Sequence, residues 1–239
     1  MKRNSDFGGF LGEAFALVRD ALPGVTVYVI VMAMLGTVQL YFQGGADSNF
    51  GFSRGFMLTE SVVAQGALAI LVVLATGIAG LVVQYFYFSY LLANRGYTIP
   101  HNRILAYVGF TILFGLGVGL GIVLFIIPGL ILLTRWSPAT GLVVGTDTPV
   151  MDSFGQSWDM TAGYGWPIFF GYVVLGIATS IVTAMVIFPV VGFLGQTSIT
   201  YFFVSSLAEN LLGAIIGAFT IGVFYLLHDS SEQFSEVFE

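Results

Sequence analysis

Six apolar stretches, at about residues 23–42, 64–92, 104–126, 129–146, 166–189 and 206–227, carry few or no charges. Each approaches the roughly 20 residues that a helix needs to cross a bilayer. Two shorter stretches follow a different pattern. Over 6–21, Phe7, Phe10, Leu11, Ala14, Phe15, Leu17 and Val18 recur at helical spacing away from the charged positions. Over 148–163, Val150, Phe154, Trp158 and Thr161 share a helical face, Asp147 or Thr148 is a candidate cap, Pro149 suits the first position and Gly163 closes the segment. Both read as short amphipathic helices lying in the membrane interface. The pattern predicts an all-α membrane protein: a polytopic bundle of about six transmembrane helices with two interfacial amphipathic helices, in one domain over 1–239 with an acidic tail at 228–239.

The fourth stretch is short, carries Arg135 and is interrupted by Ser137-Pro138. A hairpin with the third stretch is the preferred reading, because Ile127-Pro128-Gly129 supplies a missing donor and a flexible residue at the expected turn. One long third helix followed by a re-entrant piece is the alternative. Each amphipathic stretch precedes a proline-marked span, at Leu22-Pro23-Gly24 and at Tyr164-Gly165-Trp166-Pro167, which fits a duplicated unit without demonstrating one.

Composition bears this out. Of 239 residues, 57% are hydrophobic and 8% charged, against about 25% charged in an average soluble domain. So few charges cannot cover a globular surface in water. A net charge of -6 leaves no basic patch for nucleic acid. The absence of cysteine excludes disulfides, thiolate chemistry and Cys-ligated metals, and the two histidines, His101 and His228, are far apart in sequence. No cofactor or metal site is expected. Charges within 1–22 also argue against a cleaved secretory signal.

Basic residues suggest an orientation. Lys2, Arg3 and Arg19 precede the first span and Arg95 and Arg103 lie between the second and third, whereas only Arg54 lies between the first and second. That bias predicts both termini in the cytoplasm of a bacterial cell, the membrane being the inner one. Asp229, Glu232, Glu236 and Glu239 in the tail carry little weight in this rule.

Several side chains are candidates for chemistry. Gly115, Gly117, Gly119 and Gly121 lie mid-span with no following Lys, Ser or Thr, so they suit helix contact rather than phosphate, as do Gly213 and Gly217. That contact is either within the bundle or between subunits. Arg135 and Glu209 are ionisable residues inside predicted spans, a few residues from the same membrane face. An Arg135–Glu209 ion pair, snorkelling of Arg135 to headgroups and a polar pathway that includes Asn210 and Gln84 are the competing readings. The run Tyr85-Phe86-Tyr87-Phe88-Ser89-Tyr90 reads as an aromatic belt, Glu60 as an interfacial acid, and Asp147, Asp152 and Asp159 as a solvated helix face. No nucleophile elbow, zinc-protease pair or P-loop is present.

The segment from Phe125 through Pro128-Gly129 and Arg135-Trp136-Ser137, followed by Ser157-Trp158, Thr161 and Gly163, resembles a bacterial membrane family. It is similar to the membrane domain of glycerophosphoryl diester phosphodiesterases and to related stand-alone proteins of the YciC type. The resemblance covers about 40 residues; Ala162 replaces a usual basic residue and Met160 a usual Leu. It implies architecture more than activity. In some members a fused soluble part holds the catalytic histidines and acids, and neither His101 nor His228 has the flanking residues of that site. The expectation is a non-enzymatic protein that contacts membrane lipids, as a scaffolding element or accessory subunit, with other membrane subunits or self-association as further partners and no nucleic acid. The alternative is a transporter or channel for a small or lipidic solute.

Overall fold

The computed structural model describes residues 6–43, 58–101, 103–195 and 198–238; Lys2, Arg3 and Arg54, counted for orientation, and Glu239 lie outside the described residues. Ten helices follow in order: α1 (Phe7–Asp20), α2 (Leu22–Phe42), α3 (Glu60–Ala64), α4 (Ala67–Ala93), α5 (Ile104–Leu124), α6 (Ile126–Arg135), α7 (Ala139–Gly145), α8 (Val150–Met160), α9 (Gly165–Leu194) and α10 (Ile199–Phe238). No strand occurs among the described residues. Among the described residues, six apolar segments are long enough to cross a membrane: α2, α4, α5, α6 with α7, α9 and the part of α10 up to Asp229. The protein is an all-α polytopic membrane protein.

Helix boundaries follow local chemistry. Asp6 caps α1 by accepting from the Gly9 N–H at 2.7 Å, and Pro23 falls in the first turn of α2, where its missing N–H costs nothing. Pro128 and Gly129 were expected at a turn. They lie instead inside α6, and the break is at Phe125, whose backbone is extended at φ -155° and ψ 124°. Gly129 serves close approach: a methyl group on Gly121 would lie 2.8 Å from the Gly129 Cα. The fourth span is therefore two helices, separated at Trp136-Ser137-Pro138. The tail is also not separate, since α10 continues helically to Phe238.

The chain divides into two compact units, one of residues 1–22, 85–176 and 215–239, the other of 23–84 and 177–214. In the first, Phe10 and Ala14 of α1 pack with Ile168 and Leu175 of α9 and with Phe219, Val223, Leu226 and Leu227 of α10. Every residue of α7 is buried. Gly141 faces the Phe224 ring and Gly145 the Leu92 side chain, so this stretch is the inner element of its unit. In the second unit, Leu40 packs on Tyr201 and Phe202, while Val62 of α3 packs on Ala69 and Val73 of α4.

The aromatic run is divided by the helical period. Tyr85, Tyr87 and Phe88 are buried, whereas Phe86 and Tyr90 are exposed. Tyr107 of α5 contacts the Tyr85 ring at 5.8 Å and the Phe88 ring at 6.0 Å between centroids.

Candidate functional site

Arg135, Ser157, Trp158 and Thr161, four of the residues that carried the sequence resemblance, meet in the first unit. Helix α6 ends at Arg135, where its last carbonyls lack intrahelical donors. The break at Pro138 prevents the following chain from supplying them. Instead the Ser157 hydroxyl of α8 donates to the Arg135 carbonyl at 2.7 Å, with a longer contact from the Thr161 hydroxyl at 3.5 Å. The guanidinium closes the same joint from the other direction. It donates to Thr161 Oγ1 at 3.4 Å and stands 5.3 Å from the Trp158 ring centroid, a cation–π distance.

This joint decides which face of α8 is inside. Ser153, Ser157 and Thr161, spaced by four, are fully buried, while Trp158 is 42% exposed. Ser153 satisfies its own hydroxyl locally by donating to the Val150 carbonyl at 2.6 Å. Next to the hydroxyl stripe, Phe154 stacks on Phe110 at 5.2 Å and contacts Trp136 at 4.5 Å between centroids. Hydropathy singled out Phe154 and Trp158, whereas the Ser-Ser-Thr repeat is the signal for the buried side.

Two further arginines make equivalent joints. Arg103, just before α5, donates to the Val143 carbonyl of α7 at 3.2 Å, to Asp147 at 3.1 Å and to the Thr148 carbonyl. It thereby holds the start of α8, as Arg135 holds its end. Arg95, just after α4, reaches Glu13 at 2.7 Å and Asp20 at 3.0 Å on α1. Burial opposes the Arg95 charge, but the hydrogen bonds to Asp20 and Glu13 outweigh it and hold its pKa above the usual value. The Asp20 carboxyl is held below its usual range, by hydrogen bonds from Arg95 and then from Arg19.

The other predicted residues divide clearly. Gly129 packs against Gly121 and Ile122 at the α5–α6 crossing, Pro128 lies in the first turn of α6, and Gly163 closes the α8 segment with a φ of +84°, a conformation glycine adopts freely. Gly117 faces Trp136, Gly121 faces Gly129, and Gly217 faces Phe88 and Tyr87, all within the first unit. A Cβ on Gly115, Gly119 or Gly213 would meet no atom within 4 Å. Glu209 belongs to the second unit and Arg135 to the first, where Thr161 and Trp158 engage it. Glu60 opens α3 and is exposed, as are Asp147, Asp152 and Asp159.

Among the described residues, no group of three or more His, Cys, Asp or Glu side chains is placed to hold a metal. The described residues include two open grooves. One of about 220 Å³ is lined by Thr37, Val38, Tyr41, Phe42 and Ile199; the other, of about 280 Å³, by Arg95, Gly96, Tyr97, Tyr225 and Asp229. What the fold and the joint define is a class: a polytopic helical membrane protein whose amphipathic helices are tied to its spans. No family model, curated protein or solved structure matches the chain.

Proposed function

We propose that this protein is a non-enzymatic, lipid-interacting scaffold or accessory subunit of the bacterial cytoplasmic membrane, with both termini in the cytoplasm. The observation that carries the reading is the use of Arg95, Arg103 and Arg135. Each engages an amphipathic segment and joins it to the end of a span. Charges arranged in this way set a fixed edge between the bundle and the amphipathic helices, which suits a protein that presents a shaped surface to lipid or to another subunit. The bias of basic residues between the first three spans supports the orientation. The resemblance to the membrane domain of glycerophosphoryl diester phosphodiesterases, built on the residues of the Arg135 joint, supports the same assignment.

Purification in mild detergent followed by native mass spectrometry tests the proposal. Retention of phospholipid or of a second membrane subunit in defined stoichiometry is the expected result. Loss of both, together with solute flux in proteoliposomes, would overturn it. The second outcome corresponds to a transporter or channel, a reading favoured by the interruption of the fourth span between α6 and α7, because discontinuous helices commonly line substrate sites.

A further inference from the structure

Length alone makes α5 one membrane crossing and α6 with α7 another. Exposure divides these segments differently. Over 104–111 only Leu105 is exposed, whereas Ile112, Leu113, Leu116 and Leu120 are exposed and so is every residue of 122–128. On the return, the exposed surface ends with α6, because every residue of α7 is buried within the protein. The exposed apolar part therefore runs in over 112–124, about 18 Å, and back over α6, about 14 Å, at 1.5 Å per residue.

Helix α8 marks the surface that the hairpin enters. Arg103, just before α5, holds Asp147 and the Thr148 carbonyl, just before α8. In the middle of α8, Phe154 stacks on Phe110 at 5.2 Å. Its end is tied to Arg135, next to Trp136, which contacts the Phe114 ring at 6.4 Å. Helix α8 thus runs beside the first half of α5 and carries exposed Asp152, Gln156 and Asp159 along it. Carboxylates of this kind need water or headgroups. The hydrocarbon accordingly begins where α8 ends, near Arg135 and the part-exposed Trp158, a residue type suited to the interface.

The far end of the hairpin has no matching anchor. Over 112–133 the chain carries no polar or charged side chain and no Tyr or Trp. At the turn, Val123, Leu124, Phe125, Ile126 and Ile127 are 65–82% exposed, and emergence into water would hydrate all five against the hydrophobic effect. The backbone of the turn is suited to lipid. Its break is confined to Phe125, whose N–H donates to the Gly121 carbonyl at 3.0 Å and whose carbonyl accepts from the Gly129 N–H at 3.5 Å. Pro128 has no N–H to satisfy.

We infer that α5 and α6 form a re-entrant hairpin that inserts into one leaflet only, with the acyl chains of that leaflet as its partner and Phe125 near the bilayer midplane. Its exposed length matches half of a hydrocarbon core of about 30 Å. The leaflet is the one that carries both amphipathic helices, because Arg95 and Arg103 of the single α4–α5 connection hold α1 and the start of α8. The chain returns to the side it left, so the inference depends neither on the orientation of the termini nor on the scaffold reading.

Depth measurement tests it on the full chain. The sequence has no cysteine, so Phe125→Cys supplies a single thiol for an environment-sensitive fluorophore. The labelled protein is reconstituted in phosphatidylcholine vesicles doped with lipids that carry a nitroxide either on the headgroup or near the end of the acyl chain. The chain-end nitroxide is expected to quench at least about twofold more strongly than the headgroup one, as a midplane position requires. Asp159→Cys gives the reverse order. Unlabelled Phe125→Cys resists a membrane-impermeant maleimide supplied on both faces, whereas Asp159→Cys reacts. Stronger headgroup quenching at position 125, or its reaction with the maleimide, would show a full crossing and overturn the inference. Protection of that position from both nitroxides, the result of a tip seated on another protein chain, would overturn it as well. Should Phe125→Cys fail to reconstitute, the same outcomes at Leu124→Cys decide.

Discussion

The Ser157 hydroxyl donates a 2.7 Å hydrogen bond to the backbone carbonyl of Arg135, 22 residues earlier in the chain. A side chain of one helix thus completes the end of another, at the point where Pro138 interrupts the fourth span. Ser157→Ala leaves that carbonyl with only the 3.5 Å contact from Thr161. The expected loss is about 1 kcal/mol of stability. Chemical or thermal unfolding in a fixed detergent measures it, and an unchanged midpoint would show that the bond does not support the fold.

The glycines give predictions of opposite sign on a single helix. Gly121→Ala forces a methyl group against the Gly129 backbone, with an expected cost of about 1–3 kcal/mol. Gly115→Ala and Gly119→Ala place theirs where nothing lies within 4 Å, and removing a helical glycine gains about 0.5–1 kcal/mol. Comparing the three Tm values is the check. Equal destabilisation by all three would contradict the assignment of Gly121 to the α5–α6 crossing.

Acid should release α1. The Asp20 pKa is lowered mainly by the hydrogen bond from Arg95, so its contribution is present above the carboxyl pKa of the unfolded chain and is lost as pH falls through the lowered folded value. The window lies below about pH 4. Hydrogen exchange in α1 should rise between about pH 4 and pH 2, corrected for the intrinsic rate, by more in the wild type than in Asp20→Asn. Identical profiles would remove Asp20 from the contact.

Much of this fold is legible as hydropathy, because the spans and both amphipathic helices are long runs with a clear period. Three features are not. The buried face of α8 is set by the orphan carbonyls at the end of α6, a demand that Ser153, Ser157 and Thr161 meet but that a hydrophobicity pattern does not register. Gly117 and Gly121 lie on the opposite side of α5 from Gly115 and Gly119, two residues or about 200° away, so spacing alone cannot say which pair is packed. The start of α10 is obscured by Thr200, Ser205 and Ser206, which depress hydropathy over the first turns of a real helix and displace the apparent depth of Glu209. The residues of the Arg135 joint were readable as a motif; their convergence required the break between α6 and α7.

The central claim is that Arg135 holds α8 against the broken span. Hydrogen exchange measured by mass spectrometry on the wild type and Arg135→Ala tests it most directly. Protection across Val150–Met160 is expected to fall about tenfold, equivalent to about 1.4 kcal/mol of local opening, while protection of α1 stays as it was. Unchanged protection of α8 in Arg135→Ala would contradict the account.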